Sequence, residues 1–332
     1  MADSMRIAVV IPAYDMADWI GTCLSALLNQ THPYWKAVVV DDGSRDRTAA
    51  VVACFRDPRI RLIRQRNAGV SAARNAGLDA VADNGDAVLF LDADDWLAPD
   101  ALERLAAALT GHPDAAAVWG RFALMGPTDG LGDPPRRVVR PHLREGDVLA
   151  RLLIGNRFAN GGHVLIRRDA VLHAGRFDTR LTFGEDWEYF VRLALAGPMA
   201  SVPGRAPVLF VRRRAEGAYR SRVTDLGAYM PAISAIFANP DLRARLPPLR
   251  LAALNRAAQA EKIWTAGRAL VADGRDGNRP EGLRLLRLAM CRRPTARRTA
   301  LLLGLHLSGF KRQVAVPAED ERPSATAVAD FP

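Results

Sequence analysis

Residues 86–96 read DAVLFLDADDW, and the fold turns on them. Residues 87–91 are an apolar run of strand length. The run ends abruptly in Asp92, Asp94 and Asp95. A buried strand that delivers three carboxylates to its carboxyl end sets like charges side by side, each wanting water or a partner. A divalent cation relieves both problems. Hard cations such as Mg2+ or Mn2+ take oxygen ligands, commonly one or two carboxylates plus substrate phosphates. The stretch therefore points to a metal–diphosphate site at a strand end. The plainer alternative is a solvated turn that starts the next helix, with Asp95 and Pro99 as its signals.

The flanking sequence weighs against that alternative. Residues 6–11, RIAVVI, form a continuous β-branched run that reads as a fully buried strand ending at Pro12. Ile20, Leu24, Leu27 and Leu28 then mark one apolar helical stripe. Residues 36–40 are a second strand and run straight into Asp41-Asp42-Gly43-Ser44. A helix, a short strand at 60–63, a turn at 67–69 and a small, alanine-rich helix at 71–80 lead into the 87–91 strand. A helix with Leu102, Leu105 and Leu109 and a strand at 115–119 follow. Strand and helix alternate over short connections, which predicts an α/β fold with a mainly parallel sheet. Ligands in such sheets bind outside the carboxyl ends of the strands. The polar residues collect there, at 12–15, 41–44 and 92–95.

Two absences narrow the chemistry. The loop after the first strand, IPAYDMAD, has no glycine, so the GxGxxG fingerprint of dinucleotide sites is missing, and no Walker A loop occurs. Phosphate must then be held by a metal and side chains, for which Arg64, Arg66 and Arg74 are candidates. The net charge of +10 favours anionic partners. No helix-turn-helix, zinc-finger spacing or aromatic–basic run points to nucleic acid. Three scattered cysteines form no disulfide framework, which suits a reducing cytoplasm. No signal peptide is expected, because no basic region precedes an apolar one at the start. No stretch is apolar over the ~18 residues that a membrane span needs.

VVIPAYD (9–15), LLNQTHPYWKAVVVDDGSRDRT (27–48), RNAGVSAARNAGL (66–78) and FLDADDW (90–96), in this order and spacing, resemble the nucleotide-binding half of a family 2 glycosyltransferase. The resemblance covers residues 6–120 without a gap and rests on four agreeing motifs. It implies the GT-A fold, a Rossmann-like, mainly parallel sheet flanked by helices. It places Pro12, Ala13 and Tyr14 around the nucleoside base. Asp42 would bind base or ribose with Asp41 behind it, and Arg74 would contact the nucleotide. Asp92 would lie by the ribose, and Ala93 would be a further nucleotide-binding residue. Asp94 would be the ligand of Mn2+ or Mg2+, with Asp95 a second candidate.

The second half carries one further motif. Gly184-Glu185-Asp186-Trp187 opens a helix whose apolar stripe is Trp187, Phe190, Val191 and Ala194. Acids in a first helical turn complement the helix dipole, and on an isolated helix that would suffice. However, GRFDTRLTFGEDWEYFVRL (175–193) also resembles the acceptor-side motif of the same family. Carried over, Asp186 is the general base that takes the acceptor's proton, and Glu185 is a supporting acceptor of hydrogen bonds. His163 could reach the metal or phosphates, although a lone histidine is more often structural. The glycine- and proline-rich stretch 126–141 reads as a loop, either one able to close over a donor or a plain surface insertion. The arginine run 212–214 would flank the diphosphate or guard a strand edge. The QxxRW motif of processive members is absent.

The expected organisation is a catalytic domain over 1–222 (nucleotide half 6–120, acceptor half 142–222), a helical region over 223–313 and a disordered tail over 314–332. The apolar helix at 300–307, flanked by Arg292, Arg293, Arg297, Arg298, Lys311 and Arg312, would pack on the protein or lie on an anionic membrane surface. The leading expectation is an inverting, non-processive sugar transferase. It would take a nucleotide-diphosphate sugar, UDP-linked, and act on a glycan or lipid-linked acceptor in surface polysaccharide or glycoconjugate synthesis, in the cytoplasm or peripherally on the inner face of the plasma membrane. A non-catalytic scaffold that keeps the fold and the nucleotide is the rival. A sugar-nucleotide pyrophosphorylase is disfavoured, since it wants a glycine-rich basic loop after the first strand.

Overall fold

The computed structural model describes residues 5–81, 85–214, 222–273 and 278–307. Its main sheet has seven strands in the order β10-β6-β9-β4-β1-β2-β3. These are β1 (Ile7–Ala13), β2 (Trp35–Asp41), β3 (Ile60–Arg64), β4 (Ala87–Phe90), β6 (Ala117–Trp119), β9 (Val164–Arg167) and β10 (Met199–Ser201). Only β9 runs against the rest. A second sheet of four strands, β5-β11-β7-β8, is built from β5 (Trp96–Leu97), β7 (Arg121–Met125), β8 (Arg137–Val139) and β11 (Pro207–Arg212).

β1 is buried from end to end because both faces of the sheet are covered. Ala8 and Val10 face one hydrophobic core, and Ile7, Val9, Ile11 and Ala13 face the other. That is why the sequence shows an unbroken apolar run instead of an alternation. The strand runs on through Pro12, past the expected end, to Ala13. Pairing of β1 with β4 stops at Val10 and Phe90, so Pro12 lies where that ladder has already ended. Beyond this point the two strands diverge and open the crevice.

Helices α1 (Ile20–Leu28), α2 (Thr48–Ala53), α3 (Val70–Ala80), α4 (Ala101–Gly111), α5 (Leu149–Leu152), α6 (Arg168–Ala174) and α7 (Glu185–Ala196) complete this part. Helices α8 (Leu226–Ala238), α9 (Pro240–Arg245), α10 (Pro248–Ala272), α11 (Asn278–Arg292) and α12 (Ala296–Leu307) follow. Tyr229, Ala232, Ile233, Ile236, Leu242 and Ala258 join the same core as Trp187 and Phe190 of α7. The main core therefore extends across residue 222 into the helical region. Further on, α10 and α11 bury a core of their own around Ile263, Trp264, Leu285 and Leu286.

Three expectations change here. The stretch 126–141 is not all loop, because β8 lies within it. Arg212 ties its first turn down, donating to the carbonyls of Pro127 and Asp129. The arginine run does not guard an edge either, since β11 is an interior strand between β5 and β7. Arg298, counted with the basic flank of the last helix, is buried. It pairs with Glu261 at 2.6 Å, and Leu301 and Leu302 pack on the core beside it. Lys311, Arg312 and the tail 314–332 lie outside the described residues. Among the described residues, no helix is long and apolar enough to cross a membrane.

Candidate active site

The carboxyl ends of β1, β2 and β4 are stitched into one wall. The Asp15 amide donates to Ser44 Oγ at 3.1 Å, and Asp15 Oδ1 accepts from the Arg45 amide at 2.7 Å. Asp15 is the one described non-glycine residue with a left-handed backbone, a conformation that aspartate tolerates. Asp41 is fully buried. It accepts from the Ser44 amide at 2.9 Å and pairs with Arg64 at 3.0 Å. Asp42 organises the next loop, accepting from Gln65 Nε2 (2.7 Å) and from the amides of Ala68 (2.9 Å) and Gly69 (2.8 Å). Gly43 between them has φ 75°, and a Cβ there would sit 2.8 Å from the Asn67 nitrogen. The DDGS turn thus closes on the 65–69 loop only with glycine. Pro12 and Ala13 are buried at the end of β1, and Tyr14 is half-buried just beyond.

The three DxDD acids part company in the fold. Asp92 keeps 29% of its side chain exposed and pairs with Arg74 at 3.1 Å. Asp94 is 17% exposed, and its Oδ2 lies 2.7 Å from Arg214 Nε. That contact is out of line for a hydrogen bond, so it is a meeting of charges, not a directed lock. Burial first, then the Asp92 charge, raises the pKa of Asp94, against the pull of Arg214. Asp95 is turned away. Its Oδ2 accepts from Asn160 Nδ2 at 2.5 Å and its Oδ1 from the Arg212 amide at 2.8 Å, with the residue 2% exposed. Both oxygens point into the protein, which corrects the expectation of Asp95 as a second metal ligand. Asp95→Ala is expected to leave those donors unsatisfied and to cost about 2 kcal/mol, read as a lower urea midpoint. Asp94→Ala is expected to leave the midpoint nearly unchanged.

Arg74 is the hinge of the site. It is 5% exposed and comes from α3. One Nη pairs with Asp92, and the other reaches Glu185 at 2.9 Å. A single guanidinium thus joins the end of β4 to the start of α7, and Glu185 is the acceptor it meets. Asp186 is half-buried next to Glu185. Its Oδ2 accepts from Asn156 Nδ2 at 2.9 Å and its Oδ1 from the Trp187 amide at 2.6 Å. Burial and then the neighbouring Glu185 charge push its pKa up to about 7, although Arg74 pulls the other way. A carboxylate poised near neutrality suits a general base.

His163 takes no part in the crevice. One ring nitrogen accepts from the Ala159 amide at 3.1 Å, so the other donates to the Gly120 carbonyl at 2.9 Å. Burial lowers its pKa to about 4 and keeps it neutral. The turn before it crosses the end of β4 so closely that a Cβ on Gly161 would meet the Phe90 carbonyl oxygen at 2.7 Å. Sequence reasoning missed Asn156 and Asn160. Asparagine before Gly161-Gly162 is a turn signal that could have marked Asn160, whereas nothing local marks Asn156.

Comparison with known proteins decides the family. The model of "Glycosyl transferase family 2" matches residues 8–173, half of the chain. The chain belongs to glycosyl transferase family 2. A curated family relative is the succinoglycan biosynthesis protein ExoO of Rhizobium meliloti, 33% identical over 216 residues, which are 62% of this chain and 61% of that protein. Another is glycosyltransferase GlyA of Streptococcus pneumoniae, 40% identical over 102 residues, 30% of this chain and 14% of that protein. The chain thus spans only part of the curated relatives it matches. Among solved structures, S. aureus TarS 1-349 in complex with UDP-GlcNAc aligns at TM-score 0.64 and 20% identity, over 90% of this chain and 84% of that one. Mannosyltransferase PcManGT from Pyrobaculum calidifontis, in complex with GDP-Man and Mn2+, aligns at TM-score 0.59 and 19% identity, over 93% and 82%. These neighbours share the GT-A fold.

Proposed function

We propose that the chain transfers one sugar, with inversion, from a nucleotide-diphosphate sugar to the hydroxyl of a glycan or lipid-linked acceptor. The observation that carries this reading is the convergence of Asp92, Glu185 and Asp186 around Arg74, with Asp94 beside Asp92. It sets a diphosphate-binding strand end opposite a base of suitable pKa. Pro12, Ala13 and Tyr14 form the base-binding wall, whereas Asp41 and Asp42, expected at the base or ribose, are buried and fix the loops beneath. Asp92 and Ala93 lie on the ribose side. ExoO's name places that relative in polysaccharide synthesis, and the UDP-GlcNAc bound to TarS makes UDP the first donor to test.

Among the described residues, no cluster of three or more histidine, cysteine or acidic side chains could hold a metal by itself. Two hard oxygen donors, Asp94 with Asp92 near it, still suit Mg2+ or Mn2+ completed by substrate phosphates. The undirected contact from Arg214 is one that a cation can replace. When bound, the metal would neutralise the departing diphosphate. Arg74 holds Asp92 and Glu185 in register. Asn156 aims Asp186, which takes the acceptor proton as the hydroxyl attacks the anomeric carbon.

Thermal unfolding against UDP-, GDP-, dTDP- and CMP-sugars, each with Mn2+ and with EDTA, tests this. A ligand at 100 times its Kd stabilises by about 2.7 kcal/mol, or roughly 5 °C for a chain of this size. One nucleotide is expected to give a shift that EDTA and Asp94→Ala both abolish. No shift with any donor favours the scaffold reading.

The pH dependence has a definite sign. The base must be ionised, so turnover is expected to rise as pH passes through about 7 and then level off. Stability runs the other way. An unfolded aspartate titrates at about 3.9, whereas folded Asp186 holds its proton to about 7. The stability that this proton confers is full below the unfolded value and lost as pH rises through the folded one. A rate profile flat from pH 5.5 to 8.5 sinks the assignment.

A further inference from the structure

A second cleft opens on the acceptor side of the sheet. It has a volume of about 320 Å3, at the small end of ligand sites. Arg121, Arg140, Ser201, Gly204 and Arg205 are among its lining residues. Trp119 and Ser201 are the last residues of β6 and β10, so the cleft lies at the same sheet end as Asp92 and Asp94. At about 4.8 Å per strand, β6 stands roughly 10 Å and β10 roughly 14 Å sideways from β4.

The charge in this cleft is unbalanced. None of its three arginines forms an ion pair among the described residues. Arg121 Nε donates to the Gly204 carbonyl at 3.1 Å, and Arg140 and Arg205 are exposed. Burial and then the charges of Arg140 and Arg205 hold the Arg121 pKa below the ordinary arginine value. Glu145 senses Arg140 but is engaged with Ser201, accepting from its amide at 3.2 Å and its hydroxyl at 2.5 Å. Guanidinium forks match phosphate oxygens two at a time. Three converging cations suit a group with two or more negative charges better than a neutral sugar or one carboxylate.

We propose that the cleft lined by Arg121, Arg140 and Arg205 is a phosphate subsite that seats the phosphate or diphosphate of the acceptor. Its role as an acceptor subsite rests on the sugar-transfer reading, whereas the binding of phosphate does not. The test is titration of the full chain with inorganic pyrophosphate in EDTA. Arg140→Gln with Arg205→Gln changes only exposed side chains. It is expected to weaken binding by about tenfold or more, because each lost contact is a charge-assisted hydrogen bond. Binding of UDP with Mn2+ should be unaltered in this variant. Pyrophosphate should still bind Asp94→Ala and should not be displaced by UDP. Failure of the sugar-transfer reading would therefore leave this result standing. No pyrophosphate binding, binding indifferent to the double substitution, or displacement by UDP overturns the proposal. Sedimentation with phosphatidylglycerol and phosphatidylcholine vesicles identifies the source. Weaker capture of the variant by the anionic vesicles assigns the phosphate to a lipid headgroup, and equal capture assigns it to a soluble acceptor.

Discussion

Asp186→Asn is expected to lower kcat about 10^3-fold, within the range that a positioned base contributes. The donor KM and the nucleotide-induced thermal shift should stay within a few-fold of wild type. Asn156 and the Trp187 amide fix both Asp186 oxygens, so asparagine keeps the shape and one of the two accepted bonds but has no carboxylate to take the proton. Release of nucleoside diphosphate from the donor that stabilises the protein provides the readout, with water serving where no acceptor is known. The slope of stability between about pH 4 and 7 should also flatten in this variant, because the group that titrates there is gone. Turnover within tenfold of wild type would remove Asp186 from the mechanism.

Arg74→Met is expected to cost about 3 kcal/mol of stability, the scale for removing one partner from a buried ion pair, and roughly 5 °C in Tm. Methionine keeps the apolar stem but loses the guanidinium that lies over Phe177, and it leaves Asp92 and Glu185 without their shared cation. Two consequences separate this residue from an ordinary core arginine. Asp186 loses the positive neighbour that holds its pKa down, so the rising limb of the pH–rate profile should move above about 7. Nucleotide affinity should fall with it, since Asp92 is no longer held in place. A stable variant with an unmoved pH profile would show that Arg74 does not couple the two halves.

The sequence carried the nucleotide half nearly whole. The apolar runs at β1, β2 and β4, short and rich in β-branched residues, read as strands covered on both faces. The acids that follow them had to sit at one sheet end, because parallel strands deliver their carboxyl ends to the same side. GEDW likewise declared a helix start with acids in its first turn. These features are local, and chain periodicity records them.

Partners that come from distant segments left no such trace. Asp94 and Asp95 are adjacent, yet one faces Arg214 in the crevice and the other is sealed by Asn160 and Arg212. Only the placement of β11 and of the turn before β9 makes that distinction. The Arg74 bridge joins residues 111 apart in the chain, and Asn156 reaches Asp186 from 30 positions away. The arginine cleft gathers side chains from the start of β7 and from two loops that no motif connects. Residue types and their order thus determined a mainly parallel sheet, the crevice at its strand ends and the candidate acids. Which carboxylates stay open to a ligand, and which are consumed by the fold, was decided by tertiary structure, because hydrogen bonding and ion pairing are set by distance in space and not along the chain.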